Sequence, residues 1–190
     1  MTTTGPNSPA TEAENTSVGT SAWASYTNAK ASDNTYDQGG RSGAGTTLKY
    51  YIKVTDFGFA IAADQQIDGI TVEVEKKCTH NSAGKFAKDN SVRLVIGGTI
   101  SGSNLADTST KWGTTDAYAT YGGASNLWGL TPTYADINGS TFGVVFSSAI
   151  TADDKTSVVG SVDHIRITIT HTTAGGGGPT VKTLAALGVG

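Results

Sequence analysis

The sequence predicts an all-β protein, an antiparallel jelly-roll-like β-sandwich. In several short segments apolar and polar residues alternate with a period of two, which is the pattern of half-buried strands. No window predicts an amphipathic helix longer than two turns, and glycine pairs such as 97–98 and 122–123 separate the strand segments. Several short strands joined by glycine-rich loops are typical of two packed sheets with Greek-key connections.

The alternation predicts which side chains form the core. Residues 70–76 read Ile-Thr-Val-Glu-Val-Glu-Lys, so the apolar side chains share one face and Thr71, Glu73 and Glu75 face solvent. Three further segments repeat the pattern at 92–96, 142–146 and 165–170. We expect one core that contains Ile70, Val72, Val74, Leu94, Phe142, Val144, Phe146, Ile165, Ile167 and Ile169.

Two other segments carry local signals. Residues 48–61 are rich in aromatic and β-branched side chains and predict one long strand or a bent pair. Residues 131–138 predict one short helical turn with Thr131 or Thr133 as its cap.

The chain divides into three parts. Residues 1–16 are polar, contain two prolines and predict an N-terminal arm outside the sandwich. Residues 17–173 form the predicted β-sandwich domain. Residues 174–190 begin with a glycine-rich hinge, which imposes no backbone preference, and continue as an apolar C-terminal tail. This tail is either a frayed end or a peptide that docks on a partner, and its partner-binding residues would be Val181, Leu184, Leu187 and Val189.

Composition argues against several function classes. The 190 residues include only 15% charged residues and carry a net charge of −3, with no basic run longer than two residues, so we expect no nucleic-acid binding. No apolar stretch is long enough to predict a membrane span, and the N-terminus does not resemble a signal peptide. The single cysteine, Cys78, excludes an internal disulfide and a thiolate metal cluster.

No catalytic pattern is recognisable, and we expect neither enzymatic activity nor a cofactor. There is no G-x-S-x-G segment. His164 and His171 are seven residues apart on one predicted strand, which places them on opposite faces and makes His164 an exposed strand residue.

The acidic residues are weak candidates for a glycosidase site or a calcium site. Glu73 and Glu75 share a strand face and Asp153 and Asp154 share a loop, but neither pair is expected to be buried as a glycosidase requires. Residues 33–39 offer oxygen donors at alternate positions, as in a calcium loop, although such side chains more often cap their own backbone.

Four aromatic residues cluster in one glycine-rich stretch. Buried, they would pack in the core or close an edge of the sandwich; exposed, they would form a platform that stacks on a glycan. These residues are Trp112, Tyr118, Tyr121 and Trp128.

Several segments together resemble a family of virion proteins of tailed phages. They include Ala22-Trp23 with Asn28-Ala29, the stretch Leu127-Trp128-Gly129-Leu130, and Val162-Asp163-His164-Ile165. Pro132 and Thr133 depart from the pattern, which has Trp-Thr there, and the hinge and tail are not part of it. The matching segments lie at 22–36, 57–61, 67–74, 121–132, 137–144 and 162–169.

The resemblance implies a β-sandwich on the surface of a head or tail. It leads to the expectation of a structural protein that decorates or cements a phage capsid, made in the host cytoplasm and located on the virion surface. Its partners would be the major capsid protein or other virion subunits, and it would form homo-oligomers. The alternative is a tail or fibre adhesin module that binds cell-surface glycans.

Overall fold

The computed structural model describes residues 1–174 and contains two antiparallel β-sheets packed as a sandwich, which confirms the predicted fold class. The first sheet consists of β1 (Thr2–Asn7), β3 (Asp37–Arg41), β6 (Gln65–Cys78), β9 (Ala117–Gly123) and β11 (Val158–Thr173). The second consists of β2 (Thr11–Asn15), β4 (Gly45–Leu48), β5 (Tyr51–Thr55), β7 (Phe86–Ile96), β8 (Thr99–Ser101) and β10 (Gly143–Ala152). A short helix, α1 (Tyr134–Asn138), precedes β10.

The strand order makes β11 and β10 the centres of the two sheets. The first sheet has the order β1-β11-β6-β9, with β3 also paired to β11. The second has the order β2-β5-β10-β7-β8, with β4 also paired to β10. The pairing of β6 with β11 runs from Cys78 opposite Gly160 to Gln65 opposite Thr173 and is interrupted by two bulges.

The predicted core is confirmed. Its ten residues are fully buried and belong to one cluster between the sheets. They meet there because the alternation on β6 is in register with that on β11. The directly paired residues are Ile70 with Ile169, Val72 with Ile167, and Val74 with Ile165.

The segment 48–61 contains the last residue of β4 and the short strand β5, and then leaves the sheet. Asp56 adopts a φ of 61° directly after β5. The rings of Phe57 and Phe59 then turn inward and pack on Phe142, with centroid distances of 6.4 and 6.0 Å. The aromatic residues that favoured a longer strand therefore close one end of the core.

The predicted helical turn is confirmed as α1. The Thr133 hydroxyl accepts a hydrogen bond from the Asp136 amide, and the Asp136 carboxylate accepts one from the Thr133 amide at 2.8 Å. This reciprocal cap satisfies two amides that the helix leaves without a partner. Ile137 attaches the turn to the core.

The prediction of an N-terminal arm at residues 1–16 is wrong. β1 pairs with β11, with Thr2 opposite His171, and β2 pairs with β5, with Thr11 opposite Thr55. The polar composition was misleading because edge strands are held by main-chain hydrogen bonds and do not require apolar side chains. The predicted hinge and tail lie beyond Ala174, outside the described residues, except that the Ala174 amide still donates to the Asp64 carbonyl at 2.7 Å.

Deleting residues 2–7 should therefore destabilise the sandwich. Loss of the main-chain hydrogen bonds between β1 and β11 should lower the free energy of unfolding by about 2–4 kcal/mol, and thermal denaturation should show a Tm lower by roughly 5–15 °C. The double substitution Thr2→Ala and Thr3→Ala is the control, since it keeps the main chain. An unchanged Tm after the deletion would mean that this segment is an arm after all.

Candidate functional site

A cavity of about 260 Å³ lies between the two sheets at one edge of the sandwich. One wall is the edge strand β9, and the other is the segment 102–113, which runs beside β7. Backbone hydrogen bonds from Leu105 to Val92 and from Trp112 to Ala87 hold this segment in place. The cavity therefore lies where the ends of two antiparallel sheets leave a gap that a loop only partly covers.

A buried ion pair between the sheets forms the floor of the cavity. The Lys76 ammonium on β6 donates to the Asp89 carboxylate on β7 and to the Tyr121 hydroxyl on β9. The side chains of Lys76 and Asp89 are only 8% and 2% exposed. The ammonium also lies 5.0 Å from the centroid of the Trp112 ring, close enough for a cation–π interaction.

Asp89 accepts hydrogen bonds from four donors. Besides Lys76, these are the Trp112 indole N–H at 2.8 Å, the Tyr121 hydroxyl at 2.7 Å and, at 3.3 Å, the backbone amide of Asp107. This set of contacts matches the acceptor capacity of an ionised carboxylate. Asp89 therefore has no free lone pair with which to act as a general base.

The protonation states follow from burial. Burial lowers the pKa of Lys76, and the adjacent Asp89 charge opposes that effect. Burial, followed by the charge of Asp89, raises the pKa of Tyr121 far above its usual value. Tyr121 therefore keeps its proton at neutral pH and donates a hydrogen bond to Asp89.

The cavity has a mixed lining. Ala119, Leu105 and the Trp112 ring are apolar, whereas Asp107 and Thr110 add polar groups. Asp107 is held in its loop because its carboxylate accepts the amides of Ser109 and Thr110, both at 3.0 Å. Aromatic faces beside a few polar groups are the lining that small-molecule sites generally use.

Three of the four aromatic residues singled out in the sequence line this cavity, but they do not form an exposed platform. Trp112 and Tyr121 are buried, and Tyr118 is half-buried, with its ring on the outer face of the first sheet against Arg166. Trp128 is also buried and lies elsewhere, with its indole N–H donating to the Ile70 carbonyl at 2.9 Å. An exposed coplanar platform is therefore wrong, because the rings close the edge of the sandwich and leave only a recess.

Sequence reasoning missed Lys76 and Asp89. The signal for Lys76 was present, since the alternation that directs Ile70, Val72 and Val74 inward also directs Lys76 inward. A lysine at an inward position requires a buried partner. Asp89 lies before the apolar run of β7 and carries no comparable signal.

A second polar group lies on the outer face of the first sheet. The two ring nitrogens of His164 form hydrogen bonds, Nδ1 with the Tyr118 hydroxyl at 2.8 Å and Nε2 with the Ser8 hydroxyl at 2.9 Å. Arg166 lies 3.9 Å from the Tyr118 ring centroid and binds both carboxylate oxygens of Glu73, at 2.9 and 3.0 Å. These contacts connect β9, β6 and β11 on the face opposite the core.

The prediction that His164 is exposed is wrong, since only 6% of it is accessible. The N-terminal segment and a bridge from Lys30 cover this part of β11. Burial, followed by the nearby Arg166, lowers the pKa of His164, so the ring favours its neutral form.

A third group consists of two carboxyls at the opposite edge of the sandwich. Glu12 on β2 and Asp37 on β3 lie within hydrogen-bonding distance of each other. Burial, followed by the contact with Asp37, raises the pKa of Glu12 to about 9. Asp37 is fully buried.

The other acidic residues have local partners. Asp153 and Asp154 form ion pairs with Lys85 at 3.3 and 2.7 Å and lie at the surface. Within the predicted calcium loop, Asp33 accepts the Thr35 amide at 2.9 Å and so caps its own backbone.

The remaining candidates lie apart from the cavity. Cys78 is buried, and burial raises the pKa of its thiol. Among residues 1–174, no three His, Cys, Asp or Glu side chains are grouped so that they could hold a metal ion. Over the same residues, no helix has the length and apolar character needed to cross a membrane. The predicted docking residues Val181, Leu184, Leu187 and Val189 lie outside the described residues.

No protein-family model and no curated protein matches the chain. A solved structure described as "CBM4 structure and function" is similar to it, with a TM-score of 0.36 and 11% sequence identity over 72% of this chain and 85% of that chain. The two chains differ too much for this likeness to bear on function.

The ion pair in the cavity floor should be a major contributor to stability. The substitution Asp89→Asn keeps the shape but leaves the Lys76 ammonium buried without its counter-charge, which should cost about 3–5 kcal/mol in urea denaturation. The control Lys85→Met removes two ion pairs at the surface, with Asp153 and Asp154, and should have a far smaller effect. Equal losses in both variants would contradict a special role for the buried pair.

Proposed function

We propose that the protein is a structural, non-enzymatic component of the surface of a tailed-phage particle, decorating or cementing the shell through its C-terminal tail. The observation that carries the proposal is the position of the two ends of the described chain. Thr2 lies opposite His171, and Ala174 bonds to Asp64, so both ends of the described chain lie at the same end of the first sheet. A module tethered from one end keeps its opposite end and the outer faces of its sheets free.

The sequence of the tail supports this attachment. Four glycines at 175–178 separate the sandwich from an apolar peptide, and burial of its larger side chains on a neighbouring subunit would contribute roughly 1.5–3 kcal/mol each before ordering costs. The tether raises the local concentration of the peptide, which strengthens docking without further contacts. The partners in this proposal are the major capsid protein or other virion subunits, and the copies on the particle would form homo-oligomers.

Deleting residues 175–190 tests the proposal. The truncated protein should keep its Tm, because the strands end at Thr173, and should bind depleted particles at least about tenfold more weakly, a loss of roughly 1.4 kcal/mol. A control that replaces Val181, Leu184, Leu187 and Val189 with serine keeps the tail length and should lose affinity equally. Full occupancy of particles by both variants would contradict attachment through the tail.

The cavity favours a second candidate, a tail or fibre module that binds cell-surface glycans. The rings of Trp112 and Tyr121 offer apolar faces to the cavity, and hydrogen-bonding groups lie beside them on Thr110, Lys111 and Asp107. A sugar ring has the same two kinds of surface, with C–H faces and hydroxyl edges. The cavity is large enough for about one such ring.

A cavity-filling variant tests glycan binding. Ala119→Trp should occupy the recess and abolish binding to host polysaccharide in isothermal titration, whereas Tyr118→Ala, which removes a ring on the outer face of the first sheet, should leave binding unchanged. The control Tyr134→Ala removes an exposed aromatic side chain outside the cavity. Equal binding by all three variants would place any glycan elsewhere on the molecule.

A further inference from the structure

The contact between Lys76 and Asp89 joins the two sheets at the floor of the cavity. Lys76 lies on β6 of the first sheet, and Asp89 lies on β7 of the second, 13 residues later in the sequence. Their side chains cross the gap between the sheets and meet as a buried pair. The rings of Trp112, Tyr121 and Phe146 surround the ammonium, with centroids 5.0, 5.2 and 5.4 Å from Nζ. An amine and a carboxyl group are therefore held in contact in an aromatic site.

The two oxygens of the Asp89 carboxylate have different partners. Oδ1 accepts the Trp112 indole N–H at 2.8 Å as well as the Lys76 ammonium. Oδ2 accepts the Tyr121 hydroxyl at 2.7 Å and the Asp107 amide at 3.3 Å. The Tyr121 hydroxyl in turn accepts a hydrogen bond from Lys76. Oδ2 is therefore connected to the amine through a hydroxyl that can pass a proton from one to the other.

The charged form of this pair carries a cost. Both ions lose hydration on burial, and their mutual attraction can fall short of that loss. Burial accordingly lowers the pKa of Lys76, which favours the neutral amine, the nucleophilic form of the side chain. Condensation to an amide would remove both charges from the interior. The fixed contact also makes the reaction intramolecular, which removes most of the entropic barrier to bringing the two groups together.

We propose that Lys76 and Asp89 condense after folding into an isopeptide bond that joins the two sheets covalently. Tyr121 first accepts a proton from the ammonium and donates its own to Oδ2. The neutral Nζ then attacks Cγ of Asp89, and the Trp112 indole N–H stabilises the charge that develops on Oδ1. A second proton passes from the nitrogen to Oδ2 by the same route, and the bond between Cγ and Oδ2 breaks. The products are one amide and one water molecule, so the reaction needs no oxidant, cofactor or other reactant.

The bond would have a structural role. It would close the chain between residues 76 and 89 into a covalent loop and so restrict the unfolded state, as a disulfide does. The single cysteine of this chain cannot provide an internal disulfide, whereas an amide needs only these two side chains. This role is independent of how the protein attaches to a particle and of whether the cavity binds a glycan.

The mass of the intact folded chain tests the proposal. Electrospray mass spectrometry of the full chain should give the mass calculated from the sequence minus that of one water molecule. Digestion should release one branched peptide that contains both Lys76 and Asp89. The exposed pair of Lys85 and Asp154, with Nζ and Oδ2 2.7 Å apart, is an internal control whose peptides should stay separate, because solvation keeps both groups charged. A chain that is folded by circular dichroism and retains the full calculated mass would overturn the proposal.

A succinimide at Asp68, which precedes Gly69, is a competing source of water loss, and mild alkali separates the two. Alkali opens a succinimide and restores the full mass, whereas an isopeptide bond survives. Lys76→Met should retain the full mass, and water loss in this variant would overturn the proposal.

The substitution Tyr121→Phe tests the proton route. It keeps the aromatic ring but removes the hydroxyl, so the dehydrated form should appear about 100-fold more slowly in chains sampled at intervals after synthesis. The control Tyr118→Phe removes a hydroxyl on the outer face of the same strand and should leave the rate unchanged. Equal rates in Tyr121→Phe and the wild type would contradict transfer through Tyr121.

Discussion

The register between β6 and β11 is the constraint on which most of the molecule depends. On the inner face it places Ile70, Val72 and Val74 opposite the isoleucines of β11 and so builds the core. On the outer face it places Glu73 opposite Arg166 and Glu75 opposite His164. A slip of one residue would bury the charged set and expose the apolar set, so hydrophobic burial enforces the pairing.

The two edges of the sandwich use buried charge in different ways. At one edge, Lys76 and Asp89 neutralise each other across the sheets, and the aromatic rings around them complete a closed polar floor. At the other edge, burial and the contact with Asp37 raise the pKa of Glu12 to about 9, so the two carboxyls share a proton at neutral pH. The first arrangement pairs opposite charges, whereas the second removes one of two like charges by protonation.

The sequence predicted the core well and the edges poorly, for one physical reason. Core strands show their alternation because burial selects apolar side chains at every second position, as in Ile165, Ile167 and Ile169. The edge strand β1 carries no such pattern, since its pairing rests on main-chain hydrogen bonds that any residue with an N–H can make. The aromatic residues of the cavity were recognisable by type, but whether they were buried depended on how the segment 102–113 folds against β7, which no local pattern encodes.

The pairing of Thr2 with His171 also has a kinetic consequence. Contacts between residues far apart in sequence form slowly, because the intervening chain must first be ordered. β2 can join β5 early in synthesis, but β11 cannot acquire β1 as a neighbour until residue 171 has left the ribosome. Until then β1 is an unpaired strand segment, and a nascent sandwich of this kind is open to strand exchange with a second copy.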